Sequence, residues 1–203
     1  MDHPIRCACG TVAGAVTLTH RMRRAICYCR DCQSYAHALG NADAILDADG
    51  GSDVVPTVQE AVRFQQGHDA IACLSLTREG LLRWYARCCN TPLGNTARDR
   101  RLSYVGLLHS CLERSPGDLD AVFGPPKVRV NTHWAKRKVS ATSLAALALM
   151  ATLAPRIVMA RVRGSFRQSP FFDSAGEPIA RVRVLDAAEL ERARGRVHSE
   201  TRQ

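Results

Sequence analysis

Aromatic residues make up only 5% of this chain. That scarcity argues against a nucleic-acid surface that works by stacking bases, because such surfaces interleave aromatics with their cations. The seven histidines show no paired ligand spacing, so the sequence offers no histidine-based metal motif. Core or surface roles are expected for them, and His37 alone stands close in sequence to a cysteine cluster. No basic-then-apolar leader opens the chain at MDHPIRCACG, and the expected compartment is the reducing cytoplasm. There is no internal repeat and no strongly low-complexity segment. Acidic charge is scarce late in the chain. Residues 1–126 hold 13 Lys/Arg and 13 Asp/Glu, whereas residues 127–203 hold 15 and 6, which places the whole net charge of +9 in the last third.

What is present is enough to fold. With 203 residues and 46% hydrophobic content, the chain suits one domain with an extension, or two small domains. Short apolar runs at 11–18, 24–29, 42–47, 60–66, 71–77, 81–86 and 102–108 read as strands, separated by turns such as DADGGSD, QQGHD and TREG. DCQSYAHAL (31–39) reads as a short helix stopped by Gly40. After Pro125-Pro126, VRVNTHW offers one more strand. An Ala- and Leu-rich helix is expected over about 140–163, with Ser140 or Thr142 as N-cap and Pro155 kinking or ending it. A last helix is expected over 186–194, capped by Asp186. The expected fold is mainly β, of short antiparallel strands, with added C-terminal helices, α+β overall. Residues 1–126 form its β domain and 127–203 a basic extension. The uncharged run Val139–Ala154 is shorter than the ~20 residues a bilayer requires. No transmembrane span is expected, and the helix is assigned to packing on the β domain or to a homodimer through 140–160, in preference to lying on a membrane surface.

Nine cysteines carry the chemistry. Cys7 and Cys9 form one cluster, and Cys27, Cys29 and Cys32 a second. Cys88 and Cys89 are adjacent within RWYARCCNTPLGN, while Cys73 and Cys111 sit in apolar surroundings that suit inert core thiols. In a reducing compartment clustered thiols read as metal ligands, not disulfides. Sulfurs at i, i+2 and i+5 converge on one ion if the first two end a strand and the third begins the next turn. Zinc takes four such ligands when structural, and three plus an open position when catalytic. One or two zinc ions are expected.

The order Cys7-x-Cys9-Gly10, then Cys27-x-Cys29-x-x-Cys32-Gln33, then Arg83-Trp84-Tyr85 with Cys89, Thr91 and Leu93, resembles the glutathione-dependent formaldehyde-activating enzymes and the centromere-protein-V-like proteins related to them. The likeness covers residues 5–95. It implies an Mss4-like β-tent. It also implies a structural zinc on Cys7, Cys9 and Cys89, a catalytic-type zinc on Cys27, Cys29 and Cys32, and carbon–sulfur lyase chemistry in which glutathione or another small thiol adds to formaldehyde. In one place the sequence departs from that pattern. The family's C-x-x-C-G-T becomes Ala86-Arg87-Cys88-Cys89-Asn90-Thr91. Adjacent side chains point apart on a strand, so Cys88 is a poor replacement for the missing ligand there. Four outcomes stay open: a three-thiolate site, a site with a non-cysteine ligand, no structural site, or one regrouped zinc. Arg23, Arg24 and Arg30 are candidates to pair with the carboxylates of a peptide thiol, and Asp31 is either a base or a helix-capping residue. The rival reading is a non-catalytic, zinc-stabilised binding module using the basic last third, with nucleic acid the less favoured partner because the cations are scattered.

Overall fold

The computed structural model describes residues 1–19, 22–112 and 118–197. The chain forms strands β1 (Asp2–Arg6), β2 (Ala13–Thr17) and β3 (Ala25–Cys27), then helices α1 (Arg30–Ala38) and α2 (Ala42–Ile45). Strands β4 (Ser52–Val58), β5 (Val62–Gln66), β6 (Ile71–Ser75), β7 (Leu82–Ala86), β8 (Thr91–Thr96) and β9 (Tyr104–Leu108) follow. Helix α3 (Asp118–Phe123), strand β10 (Val128–Val130), helix α4 (Ser143–Arg163), strand β11 (Val182–Val184) and helix α5 (Ala187–Gly195) complete it. The fold is α+β with a large β content.

Two sheets result. The smaller has the order β1-β2-β5 and the larger the order β10-β3-β4-β9-β8-β7-β6-β11. All pairs are antiparallel except the two at the edges: β10 runs parallel to β3, and β11 parallel to β6. Residues 127–203 therefore supply both edge strands of the sheet whose middle comes from residues 1–126. The sheets share one core. Ile5, Val16, Val62 and Phe64 of the smaller meet Trp84, Val105 and Leu107 of the larger. Alternation decides which residues enter it: in β1, His3 and Ile5 point inward while Asp2, Pro4 and Arg6 face out. Gly14 on β2 permits a close approach, since a Cβ there would lie 2.0 Å from the Arg63 carbonyl oxygen at the β2–β5 bulge.

The few aromatics are concentrated at the centre. Fully buried Trp84 packs against Phe171 and Phe172, with ring centroids 5.2 and 6.2 Å away, and its Nε1 donates to Thr96 Oγ1 at 2.9 Å. A segment nearly 90 positions downstream thus plugs the β core. Two further clusters cover other parts of the sheet. One joins Tyr35, Leu39 and Ile45 to Leu74, Leu76 and Leu185; the other sets Leu149 of α4 on Ala25, Val54, Leu108 and Val128.

Several elements depart from expectation. Residues 42–47 form α2 and a turn, not a strand. Asp47 accepts from the backbone N–H of Asp49 and of Gly51 at 2.9 and 2.7 Å, closing a tight loop that leaves Leu46 only a single bridge to Ser52. Strands β1, β4 and β8 carry no clear sequence signal. Pro56 in β4, and Pro92 with Gly94 in β8, mask strands buried along most or all of their length. Pro155 neither ends nor replaces the helix, because Leu153 and Ala160 pack inward on either side of it while Pro155 itself faces out. Tertiary burial there outweighs the ~3 kcal/mol a mid-helix proline costs. The helix stops only at Gly164, at φ 72°. Thr142 sits at the N-cap without capping through its side chain; its Oγ1 instead accepts from Arg129 N–H at 2.7 Å. Asp186 does cap α5, in a reciprocal box with Glu189.

Because Phe171 fills the β core, Phe171→Ala should cost about 3–5 kcal/mol. Urea denaturation should show one transition moved to lower midpoint, not loss of a separate C-terminal unit.

Candidate metal centre

Each cysteine cluster is built by a turn. After β1 the chain reverses through Gly10, at φ 82°, with Gly10 N–H bonded to the Cys7 carbonyl at 3.0 Å. This curls Cys7 and Cys9 to one side, and Val12 N–H donates to Cys7 Sγ at 3.2 Å. Between β7 and β8 a second turn carries Cys88 and Cys89. It closes on Asn90, which holds φ 55° and donates from Nδ2 to the Leu39 carbonyl at 3.1 Å. Asparagine tolerates the left-handed region better than most residues, so Asn90 fills the backbone role of a glycine.

Cys7, Cys9, Cys88 and Cys89 converge there, with all four sulfurs within 4.8 Å of one another. The expectation that adjacent Cys88 and Cys89 point apart applies to a strand; the pair lies in a turn, where both reach the same point. Sulfurs arranged tetrahedrally at about 2.3 Å from a zinc ion lie about 3.8 Å apart. The observed separations are 3.5 Å for Cys7–Cys9, 3.9 Å for Cys7–Cys88, 3.3 Å for Cys9–Cys88 and 3.8 Å for Cys88–Cys89. Four convergent thiols at such spacing are a donor set that could hold such an ion. Thr91 Oγ1 accepts from Ala8 N–H at 3.0 Å and lies 3.1 Å from Cys89 Sγ, tying the two turns together. Hydrogen bonds from Thr11 lead in lowering the Cys9 thiol to about 6, whereas burial leads in raising Cys7.

The second cluster holds Cys27, Cys29 and Cys32, again within 4.8 Å of one another. Cys27 ends β3. Cys29 is the N-cap of α1, its sulfur accepting from Cys32 N–H at 3.3 Å. Helix N-termini favour thiolates in this way. Hydrogen bonds from Cys29 and Cys32 lead in drawing Cys27 down to about 2, and hydrogen bonding to Cys27 raises Cys29 and Cys32 in turn. Gln33, directly after this triad, is buried and donates from Nε2 to the carbonyls of Tyr28 and Trp134, both at 2.8 Å. That strap fixes the cysteine turn to the segment after β10.

Residues outside the cysteine pattern complete the surroundings. Asn131 donates from Nδ2 to Cys27 Sγ at 3.4 Å. Arg83, 3% exposed, points its guanidinium at Cys32 Sγ at 4.0 Å, donates to Asn95 Oδ1 at 3.4 Å and lies 5.1 Å over the Tyr35 ring. Among the described residues it makes no ion pair with a carboxylate, so the sulfurs are its anionic partners. Burial, with the nearby Cys32 and Cys27, pushes the Tyr104 hydroxyl up to about 12. Arg83 is visible in the sequence motif but its role is not. Asn131 and Tyr104 have no local signal at all, because strand pairing alone brings them near.

Other candidates lie elsewhere. Arg24 is held by Asp53 and Asp120, and Asp31 pairs with Arg194 at 3.7 Å. Arg23 is exposed. Arg30 stacks on Trp134 at 5.4 Å, near the triad. His37 belongs to neither cluster and borders a hollow between α1 and α5. Cys73 and Cys111 are core thiols: burial pushes Cys73 up to about 12, and Cys111 donates to the carbonyls of Leu93 and Leu108.

The fold and these two sulfur clusters define an α+β protein equipped to bind metal. The chain belongs to the family of unknown function DUF6151, whose model matches residues 2–183. No curated protein matches it.

If both clusters load, purified protein should hold two equivalents of metal. Cys29→Ser should lose one and Cys88→Ser the other, as read by elemental analysis. Arg83→Met should weaken metal affinity at the triad by about 10–100-fold, the usual effect of removing a ligand's supporting partner. Chelator competition would register that change while the four-cysteine site stays unaffected.

Proposed function

We propose that the protein is a zinc protein of the carbon–sulfur lyase type. In this reading the four-cysteine site is structural, and Cys27, Cys29 and Cys32 would hold a zinc that would serve the addition of a small thiol, such as glutathione, to formaldehyde or a related aldehyde. The observation that carries it is the contrast between the clusters. Cys7, Cys9, Cys88 and Cys89 form a complete set, while Cys27, Cys29 and Cys32 have no fourth Cys, His, Asp or Glu partner among the described residues. Closed four-ligand sites are structural and three-ligand sites leave room for reactants.

A zinc ion bound at the triad supplies Lewis acidity towards a carbonyl and lowers the pKa of a coordinated thiol. The residues around it do the rest. Cys27, Cys29 and Cys32 bind and orient. Arg83, beside Cys32 Sγ, would offset the negative charge of the three cysteine thiolates, a contribution that counts for more in a buried setting. Asn131 fixes Cys27 through its side-chain N–H. In the addition, a sulfur–carbon bond forms, the carbonyl π bond breaks, and the thiol proton ends on the former carbonyl oxygen.

The test uses cobalt-substituted protein together with a glutathione–formaldehyde assay. Glutathione should change the visible cobalt spectrum of the wild type, and the rate of S-hydroxymethylglutathione formation should exceed the uncatalysed rate. Cys29→Ser should abolish both signals while keeping the other metal. An unchanged spectrum with no rate above background would sink the proposal. Because cysteine thiols must lose their protons to bind metal as thiolates, acidification should release the metal, and retention should be complete only on the alkaline side of that transition.

A further inference from the structure

Helix α4 is apolar on two faces. Its inner face buries Leu149, Leu153 and Ala160 against the sheet. Its outer face presents Leu144, Leu147, Met150, Val158, Met159 and Val162 to solvent, with Leu144 at 84% and Val162 at 76% exposure. At 100° per residue these six fall in one arc of about half the helix surface, opposite the buried stripe. Ala148, Ala151, Ala154 and Pro155 fill the same arc and are also exposed. Arg161 and Arg163, both exposed, lie at its two borders, where long cationic side chains can bury their stems and keep their heads in water.

Charge singles out the partner. Between Asp120 and Asp173 the chain has nine Lys/Arg and no Asp or Glu. Lys136, Arg137 and Lys138 stand before the helix and Arg161, Arg163 and Arg167 at its end, all exposed. Of these, Arg137 is ion-paired, to Asp49 at 2.5 Å. A second copy of the chain on this face would set the cationic rim against its duplicate, in either orientation. An anionic surface with an apolar interior complements both features at once.

We propose that the outer face of α4 docks on an anionic lipid bilayer. By length and composition α4 is apolar enough to cross a membrane, but its inner face is fixed along β4 and β10. It therefore lies in the bilayer surface, with its outer side chains entering the boundary between headgroups and acyl chains by about 5–10 Å. Such docking would hold the triad, one strand away across β10 and β3, close to the bilayer. It stands independently of the catalytic reading.

The experiment is co-sedimentation of the full metal-loaded chain with vesicles. One set is phosphatidylcholine alone; the other is equal parts phosphatidylcholine and phosphatidylglycerol. Binding should favour the anionic vesicles and weaken as sodium chloride is raised. Arg161→Gln with Arg163→Gln should reduce partitioning about 25-fold at low salt, from about fivefold per removed charge. Leu147→Glu with Val158→Glu should abolish it while leaving metal content and circular dichroism as in the wild type. Should that double variant lose its metal, the arginine pair decides alone. No sedimentation with either vesicle, or binding untouched by the variants, would overturn the proposal. So would a dimer at sedimentation equilibrium that Leu147→Glu with Val158→Glu dissolves, which would give the face to a second copy.

Discussion

The structure depends most on the gathering of seven sulfurs into two points. One of them, the four-sulfur point, is reached from chain segments about 80 residues apart. Cys7 and Cys9 follow β1, and Cys88 and Cys89 follow β7, so the four-sulfur cluster pins the smaller sheet's edge to the larger sheet. Crowded thiolates repel one another and are costly to desolvate. A dense sulfur cluster is therefore strained electrostatically until a cation joins it, and the free energy of metal binding becomes free energy of folding. The threonines at 11 and 91 and the strap from Gln33 keep the turns in place around that charge.

The two clusters differ in how they manage charge. The four-sulfur set sits towards the surface, where Cys9 and Cys88 are exposed and water shares in screening it. The triad is more enclosed, and a buried guanidinium supplies what water does not. A lone buried cation would be prohibitive; Arg83 is tolerable there because the sulfurs, the Asn95 carbonyl and the Tyr35 ring face together satisfy it. The chemistry of the triad is thus set as much by β7 and β9 as by the turn that carries its cysteines.

Much of this was legible in the sequence, and the parts that were not share a cause. The cysteine spacing marks Cys27, Cys29 and Cys32 as one group because all three belong to a single local turn. Cys88 was underrated because face alternation is a strand rule, and the turn at 87–90 is announced only by Asn90. Strands β4 and β8 were hidden by proline and glycine, whose usual meaning is a break; two-sided burial removes the alternation that would have contradicted them. Helix α4 was placed well at both ends, yet its passage through Pro155 depends on packing that no local pattern reveals. The neighbours of the triad, Tyr104 from β9 and Asn131 just after β10, are distant in sequence and carry no motif.

The parallel strands at the two borders of the larger sheet bear on biosynthesis. A ribosome delivers β3, β4 and β6 through β9 before β10, and β11 emerges among the last of all. Until β10 arrives the nascent sheet has two open margins, and one margin stays open, without the Phe171–Phe172 plug at the centre, for a further stretch of synthesis. Open sheet margins invite pairing with other chains. Early capture of metal at the cysteine turns, all of which lie within the first 89 residues, would hold the half-made sheet in register until the remaining strands arrive. Scarcity of metal during growth would then be felt first as insoluble nascent chains, before any loss appears in protein already folded.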